Sequence, residues 1–331
     1  MNILITGANG FVGRALSKAA MRSGHAVVGV VSRPGGCLPE IREWVSAGRD
    51  FAAIEQAWRH DVALDCVVHL ASRVHQRGEG GKGGNDANAA ALLSQYRETN
   101  VEGSLRVARA AHAAGVRRMV FLSSVKAMGE AEPGIPPRAW TETDTPHPVD
   151  PYGISKQEAE TALREFSRQS GLEVVCLRPP LVYGPGVRAN FLQLMRATAS
   201  GWPMPLGLVS AKRSMVYIEN LIDAIALCCH HPAAPGNVFN VSDGQDVTVV
   251  ELIRLLERGL GQRARLLDVP PGLLTLAGRL SGRGDQIQRL TAPLRLDIHA
   301  IRRILHWTPP HSIEQGIMET AAWFQLQRGG R

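Results

Sequence analysis

Asn2-Ile3-Leu4-Ile5-Thr6-Gly7-Ala8-Asn9-Gly10-Phe11-Val12-Gly13 decides how this chain folds. An apolar run of strand length leads straight into three glycines, and Phe11 to Ser23 then carries apolar residues at helical spacing. Strand, glycine turn and helix in that order form a loop suited to a dinucleotide. Gly7 permits the tight turn, Gly10 lets a pyrophosphate approach the backbone, and Gly13 lets the helix pack closely on the sheet. The first helical N–H groups, unpaired by geometry, face the phosphates. Gly7, Asn9, Gly10, Phe11, Val12 and Gly13 are therefore expected to line a cofactor.

Outward from this segment, strand and helix signals alternate. Ala26–Val31, 64–70, Arg118–Leu122 and 173–177 are short apolar runs typical of strands buried on both faces. The pattern predicts an α/β fold: a Rossmann doubly wound parallel sheet with a smaller, discontinuous C-terminal substrate lobe. The NAD(P)-binding domain is expected over residues 1–180. Residues 181–331 are expected to form mainly the substrate lobe, because Pro- and Gly-rich connections replace the regular alternation after Leu177. A late strand over 239–241 is expected to return to the sheet. Five glycines between Arg77 and Asn88 predict a mobile loop. The apolar run from Leu273 to Ala277 is expected in core packing or a dimer contact, and a helix over 313–324 closes the chain.

Composition narrows the partners. The chain has 331 residues and a formal charge of +7. Its basic residues are dispersed without a helical stripe, so no nucleic-acid partner is expected. No apolar run reaches the ~18 residues that span a bilayer. The start goes directly into a strand without a leader pattern, which predicts a cytoplasmic address. The spacing of the five cysteines fits neither a metal site nor a disulfide framework, so no metal is expected.

Tyr152-Gly153-Ile154-Ser155-Lys156 follows the helix-start signal Asp150-Pro151 and sets Tyr152 and Lys156 on one helical face. A tyrosine of ordinary pKa ~10 is a poor acid or base at neutral pH, and a nearby ammonium is expected to favour its phenolate. Ser124, just beyond a predicted strand, stands where ligands collect in open α/β sheets. These three are the expected catalytic residues. The second strand ends in Ser32-Arg33 instead of the acid that holds an NAD ribose. That pair favours NADP(H) and leaves NAD(H) open, since Arg33 also reads as a solvated loop residue.

The Gly-x-x-Gly-x-x-Gly spacing, the Ser/Tyr/Lys register and the segments Val67 to Ala71, Thr99 to Gly103 and Arg178 to Gly186 together resemble the extended short-chain dehydrogenase/reductases. The resemblance is to their nucleotide-sugar epimerase, dehydratase and reductase group, over nearly the whole chain. It implies that Leu70, Ala71, Ser72, Asn100 and Pro179 join Tyr152 and Lys156 around the cofactor. It also implies a UDP-linked nucleotide-sugar substrate touched by Ser124, Tyr152, Asn190, Arg213 and Arg289, and a homodimer. Leu181 stands where many relatives have an Asn for the diphosphate, and Asn190 is the candidate replacement. Relatives that eliminate water carry an Asp-Glu pair directly after the serine position. Val125 and Lys126 occupy those places here, which excludes 4,6-dehydration. Two reactions at C4 remain. Ser32-Arg33 tips the balance to NADPH-driven reduction of a UDP-4-keto-6-deoxy-N-acetylhexosamine for a surface polysaccharide. UDP-glucose or UDP-N-acetylglucosamine 4-epimerisation with retained NAD is the alternative. A non-catalytic dinucleotide-sensing regulator is the reading of another class, and Tyr152 with Lys156 argues against it.

Overall fold

Ile3 and Ile5 of the first strand, β1 (Asn2–Thr6), pack on one face of a sheet and Leu4 packs on the other, so the strand is buried from both sides. The computed structural model describes residues 1–48, 50–74, 86–129, 138–280, 284 and 292–329. After β1 come α1 (Phe11–Arg22), β2 (Ala26–Val31), β3 (Arg42–Val45), the short α2 (Ile54–Ala57), β4 (Cys66–His69), α3 (Asp86–Arg97), α4 (Gly103–Ala113), β5 (Arg118–Leu122), α5 (Pro151–Ser170) and β6 (Glu173–Arg178). The C-terminal part adds β7 (Leu181–Tyr183), α6 (Ala189–Ser200), β8 (Pro203–Met204), β9 (Lys212–Arg213), β10 (Met215–Tyr217) and α7 (Ile218–His230). It continues with β11 (Val238–Asn240), β12 (Val247–Thr248), α8 (Val249–Leu260), β13 (Arg265–Leu266) and α9 (Pro271–Leu280). Helices over His299–Leu305 and Ile313–Gly329 follow.

Seven strands make one parallel sheet in the order β11-β6-β5-β4-β1-β2-β3, the expected Rossmann-like α/β architecture. Alternate side chains enter two cores. Val67, Met119, Phe121 and Val174 pack with Val107, Ala111 and Leu163 of α4 and α5. Val68, Val120 and Val175 pack with Leu16, Leu221 and Ile225 of α1 and α7. Strand order reverses between β1 and β4, and their C-terminal ends open the crevice where such sheets take ligands. The late strand lies at 238–240 and pairs with β6 at the sheet edge.

Three features depart from the sequence reading. Strand β3 was not foreseen, because Arg42 and Glu43 mask it; only Trp44 is buried, edge-on to Trp58 at 5.6 Å. Residues 86–88 of the glycine-rich stretch open α3 instead of a loop, while 75–85 lie outside the described residues. In the run 273–277 Leu274 is buried, whereas Leu273 and Leu276 stand exposed, so core packing accounts for only part of it.

Candidate active site

The glycine turn joins β1 to α1 as the spacing predicts. Gly7 has φ +68°, and a Cβ there would lie 3.0 Å from the Ala71 nitrogen. At Gly13 a Cβ would fall 2.1 Å from the Gly7 carbonyl oxygen, so helix and turn touch backbone to backbone. Gly10 donates its N–H to that same carbonyl at 2.9 Å. No side chain caps α1, and its first turn holds no acid. A concave loop ending at an uncapped helix N-terminus fits a dinucleotide pyrophosphate. Across the crevice, Leu70 and Ala71 both donate N–H groups to Thr6 Oγ1 at 3.2 Å, which locks the end of β4 to the end of β1. His69 fills the space behind, with its Nδ1 2.7 Å from Thr6 Oγ1 and its Nε2 3.0 Å from Ser104 Oγ. Burial holds this imidazole down at about 3, so it is neutral and structural.

Ser32 and Arg33 are exposed just past β2. Arg14, which sequence reasoning passed over, reaches the same edge: its guanidinium donates to the Asn9 and Gly36 carbonyls at 3.0 and 2.9 Å. Its only signal was a cation directly after the third glycine.

Tyr152 sits in the first turn of α5, which Asp150 caps by accepting the Gly153 N–H at 2.7 Å. The hydroxyls of Ser124 and Ser72 both lie within hydrogen-bonding reach of the phenol oxygen. Gly153 is required by a close approach, since a Cβ there would stand 2.4 Å from the Lys126 carbonyl oxygen. The turn 124–126 and the start of α5 are thereby pressed together. Lys126, in the position of an eliminating carboxylate, instead pairs with Asp150 at 3.3 Å.

The expected lowering of the tyrosine pKa is not what the geometry gives. Burial, followed by the charge of Asp150, pushes Tyr152 up to about 12. Lys156 does not act on the phenol: its Nζ donates to the Leu122 carbonyl at 2.8 Å and lies 4.5 Å from the centre of the Phe121 ring. Burial pushes that amine down to about 7, against the opposing charge of Glu160. The i, i+4 spacing put both residues on one face but could not say where the ammonium points.

Asn100 ties the centre to its surroundings. It lies in a five-residue π-helical turn, Glu98–Glu102, set between α3 and α4. Its Oδ1 accepts from Ser72 Oγ at 3.0 Å and from the Arg73 N–H at 2.8 Å. Its Nδ2 donates to Ser155 Oγ at 2.9 Å. One amide thus links β4, the π-turn and α5.

A second scaffold was not foreseen. Glu160, one turn beyond Lys156, receives the Arg178 guanidinium at 2.5 and 2.9 Å and the Ser123 hydroxyl. Glu160 is 2% and Arg178 3% exposed. The pair bolts α5 to the ends of β5 and β6, where Ser124 and Pro179 stand; the Pro179 carbonyl accepts the Val125 N–H at 3.0 Å. Of the expected substrate contacts, Asn190 is exposed in the first turn of α6, and Arg213 lies on β9 donating to the Ala292 carbonyl at 2.5 Å. Arg289 lies outside the described residues.

Residues 3–242 match the model of the NAD dependent epimerase/dehydratase family. A UDP-glucose 4-epimerase of Vibrio cholerae is 39% identical, over 100% of this chain and 97% of its own length. Among solved structures, UDP-glucose 4-epimerase from Thermotoga maritima with UDP-glucose superposes with a TM-score of 0.75 at 24% identity, covering 99% of this chain and 100% of that one. The Thermus thermophilus UDP-glucose 4-epimerase complex with NAD gives 0.75 at 23%, covering 98% and 99%. Both share the fold of the present chain.

Proposed function

The chain belongs to the NAD dependent epimerase/dehydratase family, and on that premise we propose that it reduces the C4 ketone of a UDP-4-keto-6-deoxy-N-acetylhexosamine with NADPH. The observation that carries the direction is the Ser32-Arg33 pair, exposed just past β2 in place of an acid that would hold an NAD ribose, while Tyr152, within reach of Ser124 and Ser72, supplies the proton. A protonated phenol is an acid, and ketone reduction needs an acid at the oxygen.

The nicotinamide group, when bound, supplies hydride to C4. Tyr152 gives its hydroxyl proton to the carbonyl oxygen, and Ser124 donates a hydrogen bond to that oxygen and orients it. Lys156, a residue of the same helical face, is assigned to the nicotinamide ribose hydroxyls. Asn100 and Ser155 keep Ser72 and α5 in register. Asn190 and Arg213 are assigned to the nucleotide diphosphate. Ser32 and Arg33, with Arg14 at the same edge, offer hydrogen bonds and positive charge to a 2′-phosphate. Val125 and Lys126 supply no acid–base pair for eliminating water.

The Vibrio cholerae relative favours a second reading, 4-epimerisation of a UDP-hexose with NAD retained. One experiment separates them. Purified enzyme receives a UDP-4-keto-6-deoxy-N-acetylhexosamine with NADPH, and separately UDP-glucose or UDP-N-acetylglucosamine with no added cofactor; products are followed by NMR. Stoichiometric NADPH oxidation supports reduction. Cofactor-free interconversion of the sugars overturns it in favour of epimerisation.

A further inference from the structure

Five large apolar side chains stand out of one small region of the C-terminal part: Trp202 (74% exposed), Leu208 (46%), Leu267 (49%), Leu273 (57%) and Leu276 (54%). Each lies within two residues of a member of a single apolar cluster built on Met204, Val209, Ala264 and Leu274, with Leu266 packed against it. Hydrogen bonds hold the contributing segments together. Strand β8 pairs with β13, the Gly207 N–H donates to the Leu267 carbonyl at 3.0 Å, and the Leu267 N–H donates to the Met204 carbonyl at 2.9 Å. Leu274 roots α9 in the cluster, while Leu273 and Leu276, three residues apart, share an outward face. Exposed apolar side chains gathered around one cluster in this way mark a contact site.

We propose that this surface docks on an anionic phospholipid bilayer, with α9 lying in the headgroup layer beside Trp202. Charge argues for that occupant. Between Leu260 and Leu280, the segment that carries β13 and α9, the sequence holds three arginines against one aspartate. Arg263 and Arg265, both exposed, flank the patch on the β13 side. Tryptophan and leucine flanked by arginine is the composition of a surface that lies on a membrane. Among the described residues no helix is long and apolar enough to cross a membrane, and docking requires none. A twofold contact between copies would set the patch against itself and bring its own arginines face to face.

The test is co-sedimentation of the full chain with vesicles of phosphatidylcholine and phosphatidylglycerol in equal parts, and with phosphatidylcholine alone, at low and high salt. The wild type is expected to bind the anionic vesicles at least ~10-fold better than the neutral ones and to be released by salt. L273S/L276S, two exposed changes outside the candidate site, should cut anionic binding by at least ~10-fold while leaving the melting temperature and turnover unchanged. Wild type that fails to sediment, or a double variant that binds as well as wild type, overturns the proposal. Loss of dimer mass in the variant, without vesicle binding by the wild type, would assign the surface to a second copy and overturn it equally.

Discussion

Replacing Glu160 by Gln tests whether the buried pair under the site holds it together. The amide keeps the shape of the carboxylate and removes its charge, so Arg178, 3% exposed, keeps a full positive charge facing a neutral group. Removing one partner of a buried ion pair costs about 3–5 kcal/mol. At about 2.1 cal/mol/K per residue, 331 residues give an unfolding entropy of about 0.7 kcal/mol/K, so Tm should fall by about 4–7 K. Thermal melts followed by circular dichroism read this directly. The control is Arg258→Gln, which removes an exposed pair with Glu314 at 3.5 Å and should move Tm by no more than about 1.5 K. An E160Q midpoint within about 1 K of wild type, in a method that resolves that difference, would falsify the argument. It would mean that water or a rearranged side chain already screens the guanidinium.

Three other outcomes are expected. Tyr152→Phe should lower kcat by at least ~100-fold with the cofactor Kd little changed, measured by steady-state turnover and NADPH fluorescence titration; near-normal turnover would remove the phenol from the chemistry. Gly13→Ala puts a methyl 2.1 Å from the Gly7 carbonyl oxygen and should weaken cofactor binding at least ~10-fold. Gly272→Ala, with open space around it and no positive φ, should not. Asp144, whose carboxyl the Arg138 guanidinium holds down at about 2, stabilises the fold above its unfolded pKa of ~3.9 and loses that contribution as pH falls towards about 2. Urea titrations across that window should show a shallower acid limb for Asp144→Asn.

Much of this was legible in one pass along the chain, and the reason is periodicity. Strands β1, β2 and β5 fall where their apolar runs end, because strands buried on both faces leave no polar residue to blur the boundary. Strand β3 escaped for the opposite reason: an edge strand carries charge, and Arg42-Glu43-Trp44-Val45 reads as a loop until its neighbour β2 is known. Gly7, Gly13 and Tyr152 could be picked out because spacing alone brings them to the turn and the helix start. Glu160 and Arg178 could not, since eighteen residues and a strand separate them and a charged side chain in sequence reads as solvated. The tyrosine environment was misjudged because spacing fixes which helical face a lysine occupies, not which carbonyl its amine reaches.

The π-helical turn around Asn100 has one more consequence, and it concerns length. It makes α3, the turn and α4 a single helix holding one residue more than an α-helix needs. Deleting that residue would mend the backbone hydrogen bonds and turn the upstream half by about 100° relative to the downstream half. Asn100 would then face away from Ser72 and Ser155. Most indels injure a protein by breaking its backbone; this one would injure it by repairing it. Asn100 apart, whose amide makes the tie, the segment should therefore tolerate changes of residue type far better than changes of residue number.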